Sequence, residues 1–312
     1  MWTVLGAIAA ILPLVGGFYF LRKIVKAIKA PVTDFSFGRK DIKATGLFIQ
    51  NKKFTQAETM LSQFNSDDFT QAVDHIAITS TEKQLSNYYE LSNGSPLASL
   101  LLGAWHLHKA WKFRGHKKAA ELKDKQFKGY VEHIKLAGPY LQKATEEAWI
   151  AAEAHSRLIR VDMGLGHLDS AEAHFKAAVK SDPGHLWAYL HYAECIQPKW
   201  GGSVEQVMHL LNTLPEDYLI RNTIRLKLMN DNFDCDTDFF GLADPGKDWN
   251  GFLSGTLTAM DAEITANPPA SIQRFVMYGY MYVLSLIAEN GLSKKYKKLV
   301  GTNYALYPFG YN

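Results

Sequence analysis

Histidine is the side chain best suited to proton transfer and metal ligation near neutral pH, and this chain has eleven. Their spacing forms no recognisable ligand set. His106 and His108 stand two apart, which on a helix turns them to different faces. The zinc-protease pattern His-Glu-x-x-His is absent. His174, His185 and His191 fall inside helical segments, where a histidine is ordinarily a surface or core residue. Asp234, Asp236 and Asp238 imitate the start of a calcium loop, but Phe239 and Pro245 occupy the places that need glycine and a bidentate glutamate. Ser80-Thr81-Glu82-Lys83 has Ser-x-x-Lys spacing without its companion motifs. Gly164-Leu165-Gly166 lacks a third glycine and joins two helices rather than a strand and a helix. No catalytic residue, no metal ligand and no cofactor site is therefore expected.

Two other segments carry chemistry of a different kind. Ala110-Trp111-Lys112-Phe113-Arg114-Gly115 places an aromatic ring three residues before a guanidinium. Pro198-Lys199-Trp200-Gly201-Gly202-Ser203 places a second Trp before two glycines that permit positive φ or close backbone approach. Ser203, with Gln206 three residues on, has the spacing of a capping box. Trp200 and Lys199 suit a binding hot spot, and Arg114 suits a ligand carboxylate or a buried acid. A brace at a corner between helices explains the same residues, and it is the favoured reading.

The elements that must hold these segments are helical. Phe54, Ala57, Leu61 and Phe64 recur at helical spacing. Ser66 with Asp67-Asp68, and Thr81-Glu82, open helices. Ser95-Pro96 opens a strong one that runs to Arg114-Gly115. A charged helix follows from Lys117 to about Leu136, punctuated by Gly138-Pro139. Beyond Trp149 comes a repeat-like hairpin, then helices over 203–214, 216–229, 252–266 and 272–289, with a polar loop over 230–250. The apolar run Phe275 to Ala288 is too short to span a bilayer comfortably and reads as core. Helices with short connections and almost no strand signals predict an all-α stack of helical hairpins.

The N-terminus reads differently. Trp2 to Leu21 carries no charge and has the length of a membrane-spanning helix, with aromatic residues near both ends. The positive n-region of a signal peptide is missing from Met1-Trp2-Thr3. Arg22, Lys23, Lys26 and Lys29 all follow the run, so the positive-inside rule places the body in the cytoplasm. Residues 1–30 are thus an anchor with a basic juxtamembrane segment, 31–38 a linker, and 39–312 one domain. The net charge of +3 gives no indication of nucleic acid as a partner. Cys195 and Cys235 make no disulfide framework, which is compatible with a reducing compartment.

Ala171, Phe175, Ala178 and Pro183 have the spacing of the second helix of a tetratricopeptide repeat, which this segment resembles. In the first helix Leu158 matches, while His155 and Asp162 hold the usual Trp and Tyr positions. The segments at 110–115 and 198–203 resemble the A-W-x-x-R-G and P-[KR]-W-G-G-S elements of a bacterial family of uncharacterised tetratricopeptide-like proteins. That resemblance covers about Ser95 to Leu214 and implies a fold without a reaction. The expected protein is a single-pass component of a bacterial inner membrane whose helical-repeat groove binds a partner polypeptide. An antagonist of a toxin or secreted effector is the second expectation. An enzyme with an unrecognised helical site, marked by convergent ionisable groups in a deep pocket, is the third.

Overall fold

The computed structural model describes residues 34–115, 121–234, 239–241 and 246–303. The apolar run 2–21, the basic residues 22–29, Cys235, Asp236, Asp238 and the tail 304–312 lie outside these residues. No helix among the described residues is long and apolar enough to cross a membrane. The body that begins at Phe35 is all-helical, with fourteen α-helices and no strand among the described residues.

The helices are α1 (Lys40–Gln50), α2 (Phe54–Leu61), α3 (Ser66–Thr79), α4 (Glu82–Leu91), α5 (Pro96–Arg114), α6 (Asp124–Ala144) and α7 (Ala151–Leu165). They continue as α8 (Leu168–Ser181), α9 (Leu186–Cys195), α10 (Val204–Asn212), α11 (Tyr218–Asp234), α12 (Trp249–Ala266), α13 (Arg274–Ile287) and α14 (Leu292–Val300). Their starts follow from caps written in the sequence. Thr81 and Gln84 form a reciprocal capping box, Ser95 accepts from the Ala98 N–H ahead of Pro96, and Asp248 accepts from Gly251.

Helices α5, α7, α9 and α13 are buried nearly all round, α5 from Leu97 to Leu107 without a break, whereas α1 buries only Ile42, Thr45, Gly46 and Ile49. The second helices bury only a stripe, such as Tyr130, Ile134, Ala137, Leu141 and Ala144 on α6, or Ala171 and Ala178 on α8. Helices α5 and α6, α7 and α8, and α13 and α14 pack as hairpins, and α7, α9, α11 and α13 neighbour one another in sequence. Ala171 and Ala178 are fully buried, and Phe175 stacks on Tyr192 at 4.2 Å and meets Tyr189 edge-on.

Helix α3 changes the expected architecture. It packs on α1 and α5, and its polar residues reach across to α7. Its first turn bonds the segment leading into α13, where the Gln273 amide donates to the Asp67 carbonyl. Thr70 and Asp74 of α3 thus meet Glu153 and Arg157 of α7 across 83 positions of sequence.

Three boundaries differ from the sequence reading. Pro139 lies inside α6 rather than at its end. It costs one backbone bond, but the buried stripe continues through Leu141 and Ala144 and outweighs that loss. Helix α11 runs to Asp234, past the expected loop start at Asn230, because Asp231 is a buried partner of Lys227. Residues 35–38, read as linker, pack onto the body, with Ser36 and Phe37 buried and Phe37 against Phe275 at 5.1 Å.

Candidate functional site

The two sequence motifs meet in space. Trp111, buried on the last turns of α5, stands edge-on to Trp200 with ring centroids 5.6 Å apart. The Arg114 guanidinium lies 5.7 Å from the Trp200 ring centre, and Gly115 ends α5 with φ of +56°. On its other face Trp111 carries the Arg160 guanidinium of α7 at 3.7 Å, a cation–π contact in a buried setting. Helices α5, α7 and the α9–α10 corner are thereby joined through one pair of indoles.

The corner itself is a single 3₁₀ turn, Pro198–Trp200. Gly201 has φ of +93°, and the Gly202 N–H returns to the Gln197 carbonyl at 3.2 Å. Ser203 accepts from the Gln206 N–H at 3.2 Å and starts α10. The polar groups of the turn converge on one carboxylate. Glu194 accepts from the Trp200 indole N–H at 2.9 Å, from Lys199 at 3.0 Å and from Lys227 at 2.5 Å. Lys227, fully buried on α11, also donates to Asp231, and the Gln197 amide reaches Asp231 at 2.5 Å. Burial alone would raise the Glu194 carboxyl, but Lys227, Lys199 and Arg160 hold it well below the usual carboxylate range. Burial would lower the Lys227 ammonium, and Asp231 with Glu194 raises it instead. The predicted residues Trp111, Arg114, Gly115, Pro198, Lys199, Trp200, Gly201, Gly202 and Ser203 are thus brought together at the α9–α10 corner.

A second constellation escaped the sequence reading. Arg157 of α7 forms ion pairs with Asp74 of α3 at 2.7 Å and with Glu153 at 2.5 Å, all three nearly inaccessible. Glu153 also accepts from Thr70 at 2.6 Å and from His185 Nε2 at 2.9 Å. The His185 Nδ1 accepts from the Ala188 N–H, which puts the imidazole proton on Nε2, facing Glu153. Burial opposes ionisation of Glu153, yet Arg157 and His185 hold it well below the usual range. Burial raises Asp74 despite its share of Arg157. Next to these groups lies a small cavity of about 20 Å³ that His108, His191 and Arg160 also line. That is room for about one water molecule. The only signal in the sequence was Glu153 and Arg157 at helical i, i+4 spacing, which surface helices show as often.

Convergent ionisable groups thus exist here, paired with one another around a space of about one water, and Arg39, Asp67, Asp68 and Arg274 line a second, larger cavity of about 180 Å³. Among the described residues no group of three or more His, Cys, Asp or Glu is placed to hold a metal ion. His106 and His108 do face different ways: His106 meets His133 of α6, with Nδ1 atoms 3.0 Å apart, and His108 lines the cavity. The degenerate repeat position His155 pairs in the same manner with His174 of α8 at 2.9 Å, beside Asp162, whose Oδ2 lies 3.6 Å from His174.

These imidazoles give the fold a pH dependence. Burial lowers His106, His108 and His174 to about 4, and lowers His133, His155 and His191 as well. Between the ordinary histidine value and those lowered ones, the unfolded chain binds more protons than the folded chain, so stability falls as pH falls through that window. Burial raises Asp162 to about 6 and also raises Asp67 and Asp74, which acts in the opposite sense. Six imidazoles outweigh three carboxyls, so the melting temperature is expected to drop steadily between pH 7 and pH 4.5, by roughly 10 °C. Thermal melts followed by circular dichroism check this, and a flat profile would contradict the buried imidazole pairs.

Comparisons with protein-family models, with curated proteins and with solved structures gave no match.

Proposed function

We propose that this chain is a protein-interaction module, a scaffold or adaptor that binds a partner polypeptide and is held at a bacterial inner membrane by residues 2–21, with its body on the cytoplasmic side. The observation that carries the reading is the layering of the body. Helices α5, α7, α9 and α13 bury most of their side chains, and Asp74, Glu153 and Arg157 are already paired with one another between α3 and α7. Large apolar side chains stay exposed at Phe127 and Leu136 on the second helix α6, at Met208 on α10 and at Phe252 on α12. Large exposed side chains of this kind can serve as interface anchors. The partner in this proposal therefore lies on the outer helices rather than in an inner groove. The convergent groups carry a structural load in it, and catalysis has no part.

The test is affinity purification of the full chain from its own membranes, in parallel with Phe127→Ser, Leu136→Ser and Met208→Ser. These side chains are exposed, so each variant should melt within about 2 °C of the parent. At least one is expected to reduce recovery of a stoichiometric partner about tenfold. Unchanged recovery in all three, or no stoichiometric partner for the parent, would contradict the proposal.

A further inference from the structure

The place where the chain enters the body is marked by charge. Gly38, just before α1, lies against Asn303, just after α14: a Cβ on Gly38 would stand 3.8 Å from the Asn303 side-chain oxygen. The start of α1 and the end of α14 therefore lie side by side. Both are basic. Helix α14 reads Leu-Ser-Lys-Lys-Tyr-Lys-Lys-Leu-Val, with four lysines and no acid. Tyr296 and Val300 point into the core, which turns Lys294, Lys297 and Lys298 outward as one stripe. Leu299 flanks the stripe and is 41% exposed, while Lys40 is exposed at the start of α1. The nearby charges are otherwise paired: Asp41 and Asp68 with Arg39, and Asp261 with Lys295.

We infer that this basic end, Lys40 with Lys294, Lys297 and Lys298, rests on an anionic lipid bilayer and seats Leu299 at the headgroup level. The inference rests on the anchor reading of residues 2–21. Residues 22–33 separate the apolar run from the described body, and twelve residues span about 40 Å at most. A body on a tether of that length keeps its entry end within reach of the headgroups. The positive-inside rule sets that end toward the cytoplasmic leaflet, which is rich in anionic lipid. Lysines there gain from the surface potential, and the adjacent leucine gains from leaving water. The contact fixes the tilt of the body, so the outer helices are presented to the cytoplasm in one orientation.

The full chain is reconstituted in vesicles of phosphatidylcholine alone or of three parts phosphatidylcholine to one part phosphatidylglycerol. An environment-sensitive fluorophore is placed on Leu299→Cys, and a control fluorophore on Lys176→Cys of α8. Emission from position 299 is expected to shift to the blue and brighten about twofold in the anionic vesicles only. The effect should vanish near 1 M salt, where the Debye length is about 3 Å. It should also vanish in Lys294→Glu/Lys297→Glu/Lys298→Glu, while position 176 stays unchanged throughout. Equal emission at position 299 in both vesicles would overturn the inference, as would a response that survives the triple substitution. Alkaline carbonate washing separates the two readings. Release of the protein sinks the anchor, whereas retention with silent emission at 299 sinks only the lipid contact.

Discussion

Replacing Arg157 with leucine is expected to destabilise the body by about 3–5 kcal/mol. Arg157 is in direct contact with both Asp74 and Glu153, and the side chains of all three are less than a tenth exposed. Without the guanidinium, two carboxylates stay in a poorly solvated space between α3 and α7, and their mutual repulsion adds to the desolvation. Glu153 keeps Thr70 and His185 as donors, whereas Asp74 loses its ion-pair partner. The triple variant Asp74→Leu/Glu153→Leu/Arg157→Leu should recover most of the loss, because removing a buried network entirely is far cheaper than breaking it. Urea denaturation of the three proteins measures this. Single and triple variants of equal stability would show that the charges are not sealed as described.

The second large effect is expected at Gly202. A Cβ built there falls 2.0 Å from the carbonyl oxygen of Ile196, and main chain cannot swing aside as a side chain would. Gly202→Ala must open the corner, which breaks the bond to Gln197 and pulls Trp200 away from Glu194. A cost of about 3 kcal/mol or more follows from the strain and the lost bonds together. Gly201→Ala is the comparison. Its φ of +93° strains any side chain, but the nearest atom to a Cβ there is a leucine methyl at 3.7 Å. Its cost should stay near 1–2 kcal/mol. Equal losses at the two positions, measured by denaturant titration, would contradict the geometry of the turn.

Local grammar was readable wherever one residue type solves one local problem. Ala171 and Ala178 let two helices approach, Phe175 fills the groove beside them, and Ser95-Pro96 opens α5. The two Trp motifs could be picked out, though not the fact that Trp111 touches Trp200 across 89 positions of sequence. What stayed hidden was long-range and polar. Asp74 and Arg157 are 83 positions apart, and a buried ion pair is written with the same letters as a solvated one. The bond from Thr70 to Glu153 is equally long-range, also across 83 positions. Pro139 misled for the opposite reason: a strong local rule was overridden by burial two and five residues later, at Leu141 and Ala144.

The histidines show how composition and structure part company. Eleven of them suggested chemistry, yet four are spent on holding hairpins together in pairs: His106 with His133, and His155 with His174. The second pair joins α7 to α8.

The claim that partners meet the outer layer is tested most directly by lysine cross-linking of the full-length protein in its native membranes, with the linked sites identified by mass spectrometry. Cross-links to a partner are expected at Lys135 and Lys143 of α6 and at Lys176 and Lys180 of α8, all of which belong to second helices. Cross-links confined to Lys109 and Lys112 of α5, with none on the second helices, would contradict the account.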